Sequence, residues 1–263
     1  MRNSLRVAAL QPLSTGPRRA VERRVLSLVA EAAKGGAEIV CLPEHWLPGK
    51  RPDLGPSLPM LKQQAARSHV SVIAGADFVE AEGGLSVESV VIDRDGKELG
   101  RQKKTHLFGK EKSVARAGDE YNIFETAGVK FGIAICHDLV YPEVARVFAL
   151  RGAEILFAPA KILRTGIEPW HLYLKARALE NRVPVVSPSV LAPPFFGGGS
   201  MIVGLQAKGT IVYPTVLARA GARQTILYAN LDPDAMKKHR EGRLRSRRPE
   251  TYSALTAPTK TER

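Results

Sequence analysis

With 263 residues, 44% hydrophobic and 25% charged, the chain is long enough for one large α/β domain with a sizeable core and requires no second one. Two cysteines, Cys41 and Cys136, exclude a disulfide framework, zinc-ligand spacing is absent, and no stretch has the apolar length of a membrane span or a signal-peptide core. The formal net charge of +13 raises nucleic acid as a partner, but the charge is scattered apart from KKHREGRLRSRR, Lys237 to Arg248, which reads as a solvated basic tail from about residue 236.

The expected setting is therefore soluble, reducing and cytoplasmic, with one domain over 1–263. Along the chain, Leu5 to Gln11 (LRVAALQ) is predicted as a first strand. Arg18 to Lys34 is predicted as an amphipathic helix with Val21, Val25, Leu28, Val29 and Ala32 on one face, stopped by Gly35 and Gly36. Glu38 to Pro43 (EIVCLP) reads as a buried strand whose carboxyl end delivers Glu44, within PEHWLPG. Leu58 to His69 reads as a helix and Val70 to Ala76 as a third strand. Leu85 to Asp93 and Glu98 to His106 flank the turn residues Arg94, Asp95 and Gly96, which predicts a hairpin carrying KKTHLF.

The stretch from Val129 to Ala160 reads as a βαβ unit. Phe131 to Ile135 is a short apolar run with β-branched residues, so a buried strand is expected to end at Cys136. Pro142 and Glu143 open a helix that closes at Gly152, and Ile155 to Phe157 make the next strand. Beyond it, Ile167 to Asn181 is predicted helical and Val183 to Pro188 extended. Gly197 to Ser200 is a loop, Met201 to Gln206 and Thr210 to Tyr213 form a hairpin about Lys208 and Gly209, and Gln224 to Leu231 is the last strand.

A thiol at the carboxyl end of a strand, next to a helix, is placed where reactive groups of open α/β sheets gather. Attack on a carbonyl also needs a base and a donor for the developing oxyanion. His137 adjoins Cys136 and is directed elsewhere, and His106 and His171 have no triad context. Glu44 and Lys104 stand near predicted strand ends. Taken singly, each has a plainer reading: a buried cysteine packs as a small hydrophobe, and a lone Glu or Lys is a solvated charge. Cys41 is mid-strand and reads as core.

In this order, AALQP, LPEHWLPG, KKTHLF, GIAICHDLVYPEVAR, RALEN and GGGS resemble the nitrilase superfamily, the carbon–nitrogen hydrolases, over nearly the whole chain. The resemblance implies a four-layer α-β-β-α sandwich, assembly as a homodimer or larger oligomer, and a Glu-Lys-Cys triad falling on Glu44, Lys104 and Cys136. It implies an auxiliary glutamate as well, which Glu111 matches by its spacing to Gly118 and Asp119. Two departures bear on substrate preference: His137 stands where members often have Tyr, Trp or Asn, and Val87-Glu88 where an Asn-Thr/Ala start to a strand is usual.

The implied chemistry is hydrolysis of a linear carboxamide through a Cys136 thioester with release of ammonia. Glu44 acts as base, and Lys104 with the His137 backbone N–H holds the oxyanion. It needs neither metal nor organic cofactor, and the expected partner is a small amide or N-carbamoyl substrate. An N-carbamoyl amine or amino-acid amidohydrolase is the alternative within the superfamily. A nucleic-acid-binding protein using the basic tail is the alternative outside it, opposed by the intact triad. Tyr141, Trp170, Phe195 and Phe196 are candidate pocket aromatics. Asp138 is read as a local turn acceptor and Arg177, Glu180 and Asn181 as braces. Gly197 to Gly199 lack the Lys-Ser/Thr of a phosphate loop.

Overall fold

The computed structural model describes residues 4–50, 52–81 and 83–257. Strand β1 (Leu5–Gln11) shows how the chain is layered, because its alternate residues enter different cores. Val7 and Ala9 face one set of neighbours and Ala8 and Leu10 the opposite one, as the two-residue side-chain period of a strand dictates. Helix α1 (Arg18–Lys34) follows, then β2 (Ile39–Cys41), α2 (Leu58–Ser68) and β3 (Ser71–Ile73). Strands β1, β2 and β3 are parallel neighbours buried on both faces, which explains their unbroken apolar sequences. Three antiparallel strands widen this sheet: β4 (Asp77–Ala81), β5 (Gly84–Ile92) and β6 (Glu98–Lys103).

The second half repeats the plan. Strands β7 (Phe124–Thr126) and β8 (Val129–Ile133), helix α3 (Pro142–Leu150), β9 (Ile155–Phe157), α4 (Ile167–Asn181) and β10 (Val185–Ser187) place β8, β9 and β10 side by side and parallel. A short pair, β11 (Leu191–Ala192) and β12 (Phe196–Gly197), precedes the hairpin β13 (Met201–Lys208) and β14 (Ile211–Arg219). Strand β15 (Thr225–Leu231) then crosses back to pair antiparallel with β1. The result is a seven-stranded sheet, β15-β1-β2-β3-β5-β4 with β6 on β5, and a six-stranded sheet, β14-β13-β10-β9-β8-β7.

Between the sheets Val7, Ile39, Cys41, Ile73 and Val87 meet Phe131, Ile133, Phe157, Val186 and Ile202. Val21, Val25, Val29 and Leu61 of α1 and α2 cover the outer face of the first sheet. Val144, Phe148, Trp170 and Leu174 of α3 and α4 cover that of the second. This is the four-layer α-β-β-α sandwich. Phe131 and Phe157 meet edge to face at 5.2 Å, and each buried side chain of this size contributes about 1.5–3 kcal/mol by leaving water.

Three differences from the sequence reading have physical causes. Strand β4 was not foreseen, because its opening aspartate hides a strand whose partner lies across a turn. Chain beyond β8 turns into a five-residue 3₁₀ segment at Cys136–Val140 instead of passing straight from strand to helix. The basic run is not a free tail: helix α5 (Lys237–Arg245) rests against α4, with Met236, Arg240 and Leu244 forming an inward stripe at four-residue spacing. The positive charges around that stripe masked it. Among the described residues no helix is long and apolar enough to cross a membrane.

Gly75, φ +73°, sits where β2 and β3 end together, and a Cβ there would lie 2.0 Å from the Pro43 carbonyl oxygen. Gly75→Ala is expected to cost about 2–4 kcal/mol from overpacking and left-handed strain together, read as a lowered denaturant midpoint with an unchanged slope.

Candidate active site

Parallel strands of both sheets bring their carboxyl ends to one side of the sandwich. Glu44 follows β2, tied to the end of β3 by a bridge to Ala76 and by the His45 N–H donating to the Ala76 carbonyl at 2.7 Å. Lys104 follows β6, its N–H donating to the Val87 carbonyl and its own carbonyl accepting from Gly118, both at 2.8 Å. Cys136 follows β8, its N–H donating to the Pro159 carbonyl at 2.9 Å. Its φ of 46° is left-handed, a strained conformation for a residue with a side chain, and the turn at Cys136–Val140 holds it.

These three residues meet. The Lys104 ammonium, 1% exposed, donates to Glu44 Oε1 at 2.7 Å and to Glu111 Oε1 at 2.9 Å, with Glu111 Oε2 in ion-pair contact at 2.8 Å. The Cys136 thiol lies beside the Glu44 carboxylate and the Lys104 ammonium, close enough for both to act on its titration, with the backbone N–H of Lys161 near its sulfur. Burial raises the Cys136 thiol well above the usual range and Glu44 adds to this, while Lys104 and the Lys161 N–H act in the opposite sense. The resting thiol is thus neutral, with a carboxylate beside it. For Lys104, burial disfavours the charge, but the carboxylates of Glu44 and Glu111 overcome it and hold the ammonium well above its ordinary range. Glu111 is opposed by burial too, and its bonds from His45, Lys104 and the Phe108 N–H bring it down to about 2.

Around this centre the loops are tied by few side chains. Asp138 is buried and accepts from the Ile135 and His106 backbone N–H groups and from the Thr105 hydroxyl, joining the Cys136 turn to the Lys104 loop. Arg177 reaches from α4 to donate to the Leu139 and Val140 carbonyls at the far end of the same turn. His137 and Tyr141 form a partly exposed aromatic rim with His106 and Phe108, His106 stacking on Tyr141 at 3.9 Å. Trp170 does not join it: it is buried in the α3–α4 core, its indole donating to Ser187 Oγ. Phe196 is half-buried beneath the Lys161 ammonium, and Phe195 is exposed.

Two groups escaped the sequence reading. Lys161 contributes only a backbone N–H, for which no side-chain signal exists. His45, with φ 47°, places its imidazole between Asp77 and Glu111; its signal in the sequence is a histidine directly after a strand-end glutamate. Glu44, His45 and Glu111 have donor atoms within 4.8 Å of one another, a spacing compatible with a cation. The Lys104 ammonium already bridges the two carboxylates of that group.

Residues 6–241 match the carbon-nitrogen hydrolase family. The chain belongs to this family. It is 34% identical over 230 residues to an omega-amidase, NIT2, of Mus musculus, covering 80% of this chain and 82% of that protein. The carbon-nitrogen hydrolase of Helicobacter pylori G27 superposes with a TM-score of 0.86 at 24% identity, over 97% of this chain and 99% of the other. Nit3 of Saccharomyces cerevisiae, a member of branch 10 of the nitrilase superfamily, superposes with a TM-score of 0.79 at 25% identity, over 92% and 95%. This nitrilase-superfamily member is accordingly a hydrolase of carbon–nitrogen bonds other than peptide bonds.

Proposed function

We propose that the chain is an amidase that cleaves a small linear carboxamide through a thioester on Cys136 and releases ammonia. The observation that carries this reading is the buried Glu44 carboxylate bonded to the Lys104 ammonium at 2.7 Å with the Cys136 thiol placed beside both. The likeness to omega-amidases supports it.

Glu44 takes the Cys136 proton as sulfur attacks the carbonyl carbon, and the oxyanion is held by Lys104 and the His137 backbone N–H. The intermediate collapses with cleavage of the C–N bond, and Glu44 returns the proton to the departing nitrogen. A water deprotonated by Glu44 then attacks the thioester. The C–S bond breaks, the acid leaves and the thiol regains its proton. Glu111, fixed as an anion on Lys104, aims the ammonium. The chain acts as one domain in a homodimer or larger assembly, checked by light scattering.

Ammonia release over a panel of carboxamides, N-carbamoyl compounds and nitriles tests the activity. Turnover of carboxamides is expected, and carbon dioxide produced together with ammonia from N-carbamoyl compounds alone would make the chain a carbamoylase instead. Lys104→Met keeps the length and removes the charge, so kcat should fall by about two to three orders of magnitude, as for loss of an oxyanion donor. A variant with nearly unchanged kcat and a raised KM would show Lys104 to be a substrate-binding charge.

A further inference from the structure

His45 is the one imidazole locked into the carboxylate–ammonium cluster described above. Its Nδ1 donates to Asp77 Oδ1 at 2.7 Å and its Nε2 to Glu111 Oε1 at 3.0 Å, and its ring lies 5.2 Å from that of Phe78. With Asp77 and Glu111 ionised, carboxylate acceptors on opposite ring nitrogens require both nitrogens to carry hydrogen, which is the imidazolium form. Burial pushes the Asp77 carboxyl up, and the bond and charge of His45 together with the Leu47 and Phe78 backbone N–H groups act against it. The charged and titratable groups facing this cluster are Glu44 on the same segment, Asp77 at the start of β4, Glu111 from the turn at Gly109–Ser113, Lys104 after β6 and Cys136 after β8. With His45 neutral, three buried carboxylates would share one ammonium. With His45 charged, Asp77 and Glu111 are balanced by His45 and Lys104, and Glu44 is the carboxylate left over to accept a proton.

We propose that His45 is a positioning residue for the hydrolysis: clamped as an imidazolium between Asp77 and Glu111, it fixes Glu111 on Lys104 and supplies the second cation that leaves Glu44 free to serve as base. The inference rests on the reading of Cys136, Glu44 and Lys104 as the reacting groups. Burial alone would disfavour the charge on His45, but the bonds to Asp77 and Glu111 reverse this and hold it up to about 10, so the cation persists through the neutral range.

The test compares the wild type with His45→Gln, which retains an N–H toward Glu111 without charge, and with the double variant His45→Gln/Asp77→Asn, which also removes the carboxylate left unbalanced. The first readout is the pH profile of Cys136 alkylation by iodoacetamide, followed at that cysteine by peptide mass. Loss of one nearby cation in His45→Gln should move the midpoint upward by about one pH unit, and the double variant should move it back. The second is amide turnover, where kcat should fall by about ten- to a hundred-fold with KM less affected in the single variant, and recover at least partly in the double. Restoration by a second substitution is not expected if His45 serves packing alone.

An unshifted alkylation midpoint in His45→Gln, or a folded double variant no faster than the single, overturns the proposal. Should the variants fail to fold, ¹⁵N-histidine spectra of the wild-type protein at pH 7 decide it: two protonated ring nitrogens on His45 support the proposal, and a neutral tautomer overturns it. A wild-type Cys136 that iodoacetamide does not modify overturns the catalytic reading and this inference with it. A reactive wild-type thiol with unshifted variants overturns this inference alone.

Discussion

Cys136→Ala should abolish amide turnover and leave a folded protein. The substitution deletes the sulfur that the mechanism needs and for which no neighbouring group substitutes, since the other cysteine, Cys41, is sealed in the core between the sheets. What holds the backbone at Cys136 is independent of the sulfur: its N–H bonds to Pro159, and Asp138 and Arg177 fix the following turn. Alanine keeps the Cβ, so the left-handed φ of 46° is neither relieved nor worsened. The stability loss is expected at about 1–2 kcal/mol, from a cavity the size of one sulfur. Ammonia release and a thermal melt on the same preparation check both halves, and residual hydrolysis by the folded variant would end the thiol proposal. Cys41→Ala is the control, expected to stay active and to lose some stability through its own cavity.

Glu44→Gln should slow acylation and deacylation together, lowering kcat by about two to four orders of magnitude, the usual contribution of a general base. The Glu44 carboxylate accepts from the Lys104 ammonium and lies beside the Cys136 thiol. An amide of the same shape offers one acceptor oxygen and one NH₂, so it must turn a donor toward either the ammonium or the thiol, and it accepts no proton from either. With both half-reactions impaired, a pulse of substrate should leave no thioester, and the intact mass should be unchanged. Accumulation of the acyl adduct at wild-type rates would confine Glu44 to the second step and demand another base for the first. Glu111 is poorly suited to that task, being held down to about 2 by bonds from His45, Lys104 and the Phe108 N–H.

Local chemistry was enough to place many of the parts. Seventeen residues of α1 follow from one apolar stripe ended by two glycines, and the strand ends before Glu44 and Cys136 follow from short apolar runs meeting polar residues. Lys104 stands at the close of a hairpin that its turn residues announce. Each of these is a property of a segment and its own neighbours, which periodicity reports directly. The meeting of the parts is of another kind. Lys104 and Glu44 are 60 residues apart in sequence, and the 2.7 Å between them exists because β5 joins β6 to the same sheet as β2. Cys136 arrives from the opposite sheet, and only stacking of the two sheets brings its thiol to the Glu44 carboxylate. The same holds for the Lys161 N–H at the sulfur, for the Asp77–His45–Glu111 bonds and for α5 docked on α4. Sequence alone thus determined which side chains stand at the ends of strands. Tertiary packing decided which of them share a buried volume, because charge pairing in a place shielded from water depends on distance in space, which no local pattern encodes.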